Sequence, residues 1–135
     1  MANTLKLEIV TPEAVAFSAD VEMVTLPAID GQLGIYPQHV PIMTQMQPGE
    51  VIVRQGGRDH SLAVGEGLIE ITGDQVSLLT DMAIPAEQID EAKVEEARQR
   101  AEARLKEKLS DEEVAAVNGS LARSLAQLRV KRRHH

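Results

Sequence analysis

All six prolines and eight of the nine glycines of this 135-residue chain lie at or before Pro85, and only Gly119 follows. A chain punctuated in this way has little room for long helices before that point and little to break one after it. Charge divides at the same place. Residues 1–84 carry eleven acids against Lys6, Arg54 and Arg58, whereas residues 85–135 carry ten acids and eleven bases. Nothing after Glu113 is acidic, yet Arg123, Arg129, Lys131, Arg132 and Arg133 all follow it.

The first part reads as short strands. Leu5, Leu7 and Ile9 alternate with Lys6, Glu8 and Val10, the period-2 pattern of a half-buried strand. Further segments are expected at Val21–Leu26, Gly34–Tyr36, Val51–Arg54, Ser61–Val64, Leu68–Ile71 and Val76–Leu79. Asp30-Gly31, Gly56-Gly57 and Gly73-Asp74 are dipeptides that two-residue hairpin turns favour, because they tolerate positive φ. Strands spaced so regularly imply a β-sandwich or barrel. Its core has to be aliphatic, since Phe17 and Tyr36 are the only aromatic residues.

The second part reads as helix. Glu87 to Leu109 contains no Gly or Pro, and Ala92, Ala97, Ala101, Leu105 and Leu109 fall near one face, with Glu96/Arg100 and Glu102/Lys106 as wet-side pairs. Ser110-Asp111-Glu112-Glu113 is a capping box that starts a second helix, on which Val114, Val117, Leu121, Leu125 and Leu128 form an apolar stripe. The same cap fits an antiparallel hairpin or one long kinked helix. The fold class is therefore β + α: an N-terminal antiparallel β-sandwich at 1–84, a C-terminal two-helix hairpin at 85–131, and a tail at 132–135. His134 and His135 are assigned no role. Docking of the second helix is expected to be marginal. About five aliphatic side chains at roughly 1.5–3 kcal/mol each oppose on the order of 20–40 kcal/mol of backbone entropy before hydrogen bonds. The hairpin is either an ordinary docked appendage or a segment that re-docks as its partners change.

Several function classes are disfavoured. A net charge of −7 and the scarcity of rings disfavour nucleic-acid binding. The lack of cysteine removes disulfides, thiolate metal sites and thiol nucleophiles. No apolar run approaches the ~20 residues of a membrane span, so membrane contact is expected only through a partner. His39 and His60 are the only internal histidines and form no metal-binding spacing; no Gly-x-Ser-x-Gly occurs, and Gly31-Gln32-Leu33-Gly34 is no phosphate loop. The chain is not expected to be an enzyme by itself.

Gly31-Gln32-Leu33-Gly34-Ile35-Tyr36-Pro37-Gln38-His39-Val40-Pro41 resembles the G-E-L-G-I-x-P-G-H-x-P signature of the epsilon subunit of bacterial F-type ATP synthase. Val10-Thr11-Pro12, Val21-Glu22-Met23-Val24, Gly67-Leu68-Ile69-Glu70-Ile71, Ile89-Asp90-Glu91-Ala92 and Leu125-Ala126-Gln127-Leu128-Arg129-Val130 extend the likeness over nearly the whole chain.

The resemblance implies a rotor subunit of the central stalk, without catalytic residues, that couples proton flow to ATP synthesis. Its implied partners are the gamma subunit, the c-ring and the catalytic alpha and beta subunits, at the cytoplasmic face of the bacterial plasma membrane and touching the membrane only through the complex. Gln32, Tyr36 and His39 are the implied contacts with gamma and the c-ring. The basic end of the second helix (Arg123, Arg129, Lys131, Arg132 and Arg133) would reach an acidic surface of the catalytic subunits and inhibit hydrolysis; the same cations also suit a helix C-terminal dipole. No cofactor is required, and ATP is left open as a regulatory ligand at Ile89, Asp90, Lys93, Arg100 and Arg123. Three departures stand out: Gln32 replaces Glu, Gln38 replaces Gly and implies a looser turn, and Lys93 and Gln127 replace two arginines of the ATP-binding members. The alternative from another class is a stand-alone β-sandwich that binds a ligand or peptide under a helical lid. A metal-dependent jelly-roll enzyme would need stoichiometric metal.

Overall fold

The computed structural model describes residues 3–134 and shows ten strands followed by two helices. The strands are β1 (Leu5–Val10), β2 (Val15–Val21), β3 (Met23–Ala28), β4 (Gly31–Ile35), β5 (Ile42–Met46), β6 (Gly49–Gln55), β7 (Arg58–Val64), β8 (Gly67–Thr72), β9 (Gln75–Thr80) and β10 (Ala83–Pro85). They hydrogen-bond in the order β10-β7-β6-β3-β5-β8-β9-β1-β2, with β4 beside β3. Pairing is antiparallel except for β1 against β9, which run parallel with Leu7 opposite Val76. Pro85 stands in β10, at one end of this order, where a missing N–H costs no ladder bond on the open side.

The turn dipeptides are realised unevenly. Gly56 and Gly57, at φ 60° and 75°, join β6 to β7, and Gly73-Asp74 joins β8 to β9. Between β3 and β4, however, Ala28 faces Gly31 directly, so Ile29-Asp30 is the two-residue turn rather than Asp30-Gly31. Strands β2, β5 and β10 escaped the sequence reading. Strand β2 alternates half-buried Phe17 and Ala19 with exposed Ser18 and Asp20, a period-2 pattern that the reading overlooked, and β10 spans only three residues.

The inner faces of the two layers meet in a core of Leu5, Leu7, Ile9, Val21, Val24, Leu26, Ile35, Met46, Val51, Val53, Leu62, Ile69, Ile71, Val76 and Leu78, with smaller neighbours. At one place, the pairing of β8 with β9 brings backbone too close for a side chain. A Cβ on Gly67 would fall 1.8 Å from the Leu79 carbonyl oxygen, which only backbone movement could relieve.

A 3-10 turn at Ala86–Gln88 leads from the sandwich to α1 (Glu91–Arg104), and residues 105–110 connect it to α2 (Asp111–Arg133). Helix α1 starts later than the Gly- and Pro-free stretch because Asp90 caps its N-terminus, accepting from the Lys93 N–H at 3.2 Å, and it ends earlier, at Arg104. The capping box at Ser110 is complete, with both reciprocal bonds made. The helices form an antiparallel hairpin: Arg104 reaches Glu113 at 3.5 Å at one end, and Arg132 reaches Glu91 at 3.4 Å at the other. Of the expected tail at 132–135, Arg132 and Arg133 complete the last turn of α2, and His135 lies outside the described residues.

Side-chain placement on the helices differs from the stripes expected. On α1 it is Val94 and Ala101 that are buried, and Arg98 bridges Glu95 and Glu102 in place of the pairs read from sequence. On α2, Leu125 is 42% exposed, while Ser124, Ala126, Leu128 and Val130 are buried. The reason is that α2 has two neighbours. One face meets α1, and its C-terminal part turns Leu128 and Val130 onto Ala63 of β7 with Ala86, Ile89 and Val94. A single-face stripe cannot serve both.

Two substitutions check this account. Gly67→Ala is expected to cost about 3 kcal/mol by overpacking against backbone, read as the urea midpoint. Gly119→Ala, inside α2 with only ordinary contact to Arg123, is expected to stabilise by about 0.5–1 kcal/mol.

Candidate functional site

The basic end of α2 is not free in this state. Arg123 Nη1 donates to Asp81 Oδ2 at 3.2 Å, and its Nη2 donates to Ser120 Oγ at 3.1 Å. Arg132 spans Glu91 and Glu95 of α1 at 3.4 and 3.1 Å. Arg133 grips both oxygens of Glu50 on β6, at 2.9 and 3.0 Å, as a planar fork. His134 Nε2 lies 2.7 Å from the same carboxylate. Three of the five cations expected to face a partner are thus held by the chain's own acids, and His134, given no role from sequence, joins them. Arg129 and Lys131 make no ion pair among the described residues.

Two of the acids that receive these cations, Asp81 and Glu50, were invisible in the sequence because they lie 42 and 83 residues away, on the sandwich. Asp81 is seated by a glycine. A Cβ on Gly65 would stand 1.8 Å from Asp81 Oδ1, so any side chain there would push the carboxylate aside. Glu50 is the more enclosed partner, its side chain 13% exposed. Burial raises its carboxyl, but Arg133, Ser61 and His134 outweigh this and leave it below the ordinary 4.5. The Ser61 hydroxyl is buried without a hydrogen bond of good geometry, so Arg133 is the stronger support.

A carboxylate depressed on docking adds stability that is complete above its undocked value and is lost as pH falls through the docked one. The α2 end is therefore expected to loosen on acidification below pH 4.5. Glu50→Gln should mimic this at neutral pH by about 1 kcal/mol, a figure kept small because Arg133 is half exposed. Amide exchange at Leu128–Val130 reads both.

The residues considered for a nucleotide are only partly assembled. Between α1 and α2 lies an open groove of about 400 Å³ lined by Ala97, Arg100, Ala101, Arg104, Ala116, Val117 and Ser120. Arg100 lines it directly, and Arg123 touches it through Ser120. Ile89 is buried in the cluster beneath α2, Asp90 is used as a helix cap, and Lys93 lies outside the lining. Arg104 and Ser120 are groove residues that sequence reasoning missed. Gln127 lies near the sandwich, its Nε2 3.3 Å from Met82 Sδ.

The signature segment forms β4 and the loop into β5. Gln32 is exposed on β4, Tyr36 is 60% exposed, and His39 is half-buried with Nδ1 2.7 Å from the Val40 carbonyl. The turn at Gln38 is not looser than a glycine would make it. Gln38 adopts φ 66°, the left-handed conformation, held by a hydrogen bond from its N–H to Asp74 Oδ1 at 2.7 Å.

On the outer face that α2 leaves uncovered, one row of side chains is apolar, next to a polar row of Glu8, Ser77 and Glu70. Leu68 of β8, Leu79 of β9, Val10 of β1 and Val15 of β2 stand opposite one another in register across four strands. Leu68, Leu79 and Val15 are exposed, as is Met43 of β5 at 69%. Such a row is unusual on a sheet that faces only water. Helix α2 packs instead on β6 and β7, in the other layer. Among the described residues no group of three or more potential ligands is placed to hold a metal, and no helix is long and apolar enough to cross a membrane.

Comparison with known proteins assigns both parts. Residues 4–86 match the model of the ATP synthase delta/epsilon chain beta-sandwich domain, and residues 87–132 match that of its long alpha-helix domain. This chain belongs to the ATP synthase delta/epsilon family. The ATP synthase epsilon chain of Desulforamulus reducens is 39% identical over 129 residues, covering 96% of this chain and 98% of the relative. That of Dehalococcoides mccartyi is 42% identical over 134 residues, covering 97% and 96%. The fold is also found in a chain of the Euglena gracilis mitochondrial ATP synthase OSCP/F1/c-ring assembly, with a TM-score of 0.74 at 22% identity, covering 99% of this chain and 83% of that one. A chain of the Tetrahymena thermophila central stalk and c-ring shares it with a TM-score of 0.64 at 11% identity, covering 93% and 95%.

Proposed function

We propose that this chain is a non-catalytic rotor subunit of the central stalk of a bacterial, proton-translocating F-type ATP synthase, and that its C-terminal helices regulate ATP hydrolysis. The observation that carries the reading is the division of labour between the two outer faces of the sandwich. One face is covered by the chain's own helix through breakable ion pairs. The other is uncovered and carries the apolar Leu68–Leu79–Val10–Val15 row, and the signature loop at the opposite end of β8 exposes Tyr36. A stalk subunit needs both: a permanent seat on gamma and the c-ring, and a segment that can leave. The chain would then lie at the cytoplasmic face of the membrane, held there by the complex.

Inhibition would use the cations that now bind Glu50, Asp81, Glu91 and Glu95. Arg133 cannot grip Glu50 and an acidic surface of the alpha or beta subunits at once, so docking on the sandwich and contact with the catalytic subunits compete. The ordering cost of α2 is offset in either position, which makes the balance sensitive to small changes.

Deleting residues 86–135 tests the division. No residue of the inner core comes from that segment, so the sandwich is expected to fold, retain gamma, and raise ATP hydrolysis by the complex. Unchanged hydrolysis would remove the inhibitory role, and loss of gamma binding by the intact chain would favour a stand-alone binding module. Replacing Arg123, Arg129, Lys131, Arg132 and Arg133 with Gln is expected to relieve inhibition in the complex, as is raised salt, which screens exposed charge within about 10 Å at 0.1 M.

ATP as a regulatory ligand fits the groove between α1 and α2 only weakly. An anion there would meet Arg100 and Arg104 but would have to draw Arg123 from Asp81. Calorimetric titration of the intact chain is expected to show weak binding, weakened about tenfold further by Arg100→Gln, which removes a charge-assisted bond from the groove wall.

A further inference from the structure

Asp74 has no part in the signature, yet it determines the shape of the loop that the signature forms. Gln38 sits at φ 66°, where a side chain is disfavoured and glycine is at ease. Pro37 and Pro41 stiffen the loop on either side, but neither fixes the left-handed residue between them. The one bond that does so comes from the tight turn between β8 and β9: Asp74 Oδ1 accepts the Gln38 N–H at 2.7 Å. Asp74 is itself anchored, because its backbone carbonyl accepts the Lys6 N–H of β1 at 2.7 Å. A carboxylate fixed to two neighbouring strands therefore clamps a loop 36 residues away in sequence.

What the clamp presents is apolar and bare. Tyr36 and Val40, on either side of Gln38, are 60% and 66% exposed, and the loop runs on into β5, which shows Met43 on the open sheet face. We infer that Asp74 is a positioning residue for docking on the gamma subunit, holding the loop from Tyr36 to Pro41 in its binding shape before contact. The inference rests on the rotor reading above. Preorganisation of this kind acts on affinity through the fraction of free chains already in the competent shape. It also accounts for a glutamine standing where the signature has glycine: the clamp supplies from outside the conformational bias that glycine supplies from within.

The test uses the intact chain and three variants, Asp74→Ala, Asp74→Asn, and Asp74→Ala combined with Gln38→Gly. Gln38 amide exchange is followed in the free chain, and affinity for purified gamma is measured well below each variant's unfolding midpoint. Asp74→Ala is expected to speed Gln38 exchange and to weaken gamma binding about tenfold. Asp74→Asn, which keeps a neutral acceptor oxygen, should fall between it and the parent chain. Adding Gln38→Gly to Asp74→Ala should recover most of the affinity, because glycine takes the left-handed turn unaided. If Asp74→Ala does not fold, Asp74→Asn alone reads the same two quantities. Unchanged affinity in variants whose Gln38 exchanges faster overturns the inference and leaves the rotor reading intact, as does unchanged exchange. Failure of the parent chain to bind gamma overturns both.

Discussion

The structure depends on the meeting of two inner sheet faces built almost wholly from branched aliphatic residues. Leu7, Ile9, Val24, Leu26, Val53, Ile69 and Leu78 are all fully buried there. Without rings to span gaps, the layers must fill space by close interdigitation of aliphatic side chains. Because side chains alternate along a strand, every core position commits its neighbours to an outer face. The two outer faces are where the chain's behaviour is decided.

Those faces are finished by different physics. Over β6 and β7, helix α2 contributes a small apolar contact of Leu128 and Val130 on Ala63, ringed by Glu50–Arg133, Asp81–Arg123 and Arg132 with Glu91 and Glu95. Most of these pairs are half exposed, so each contributes modestly and answers to salt. The face over β1, β9 and β8 is left without a cover, and its Leu68–Leu79–Val10 row is the kind of surface that a partner buries. A permanent contact suits the second face and a reversible one suits the first. Under the proposed reading, the sandwich would be seated on a rotor while its own helix leaves and returns.

The first half of this arrangement was legible in the sequence. Period-2 alternation at Leu5–Val10 marked a strand, the Gly56-Gly57 and Gly73-Asp74 dipeptides marked turns, and Ser110 with Glu113 marked the start of α2, because each signal lies within a few residues of its effect. Strand β10 was missed for the converse reason, since its three residues become a strand only through pairing with β7. The α2 stripe was misplaced at Leu125 because one helix packs against both α1 and the sandwich, and a periodic count assumes a single neighbour.

The sequence by itself determined the β-then-α order, the aliphatic core and the concentration of positive charge at the end of the second helix. These are local matters of residue shape, hydropathy and count. Only the tertiary structure decided where that charge goes. It paired Arg133 with Glu50 and Arg123 with Asp81, made room for Asp81 at Gly65, and set Asp74 against Gln38. Each of these is a contact between residues on different elements of the chain, distant in sequence. Charge pairing and steric exclusion act over a few ångströms in space, and no local pattern records which distant strands will be brought that close.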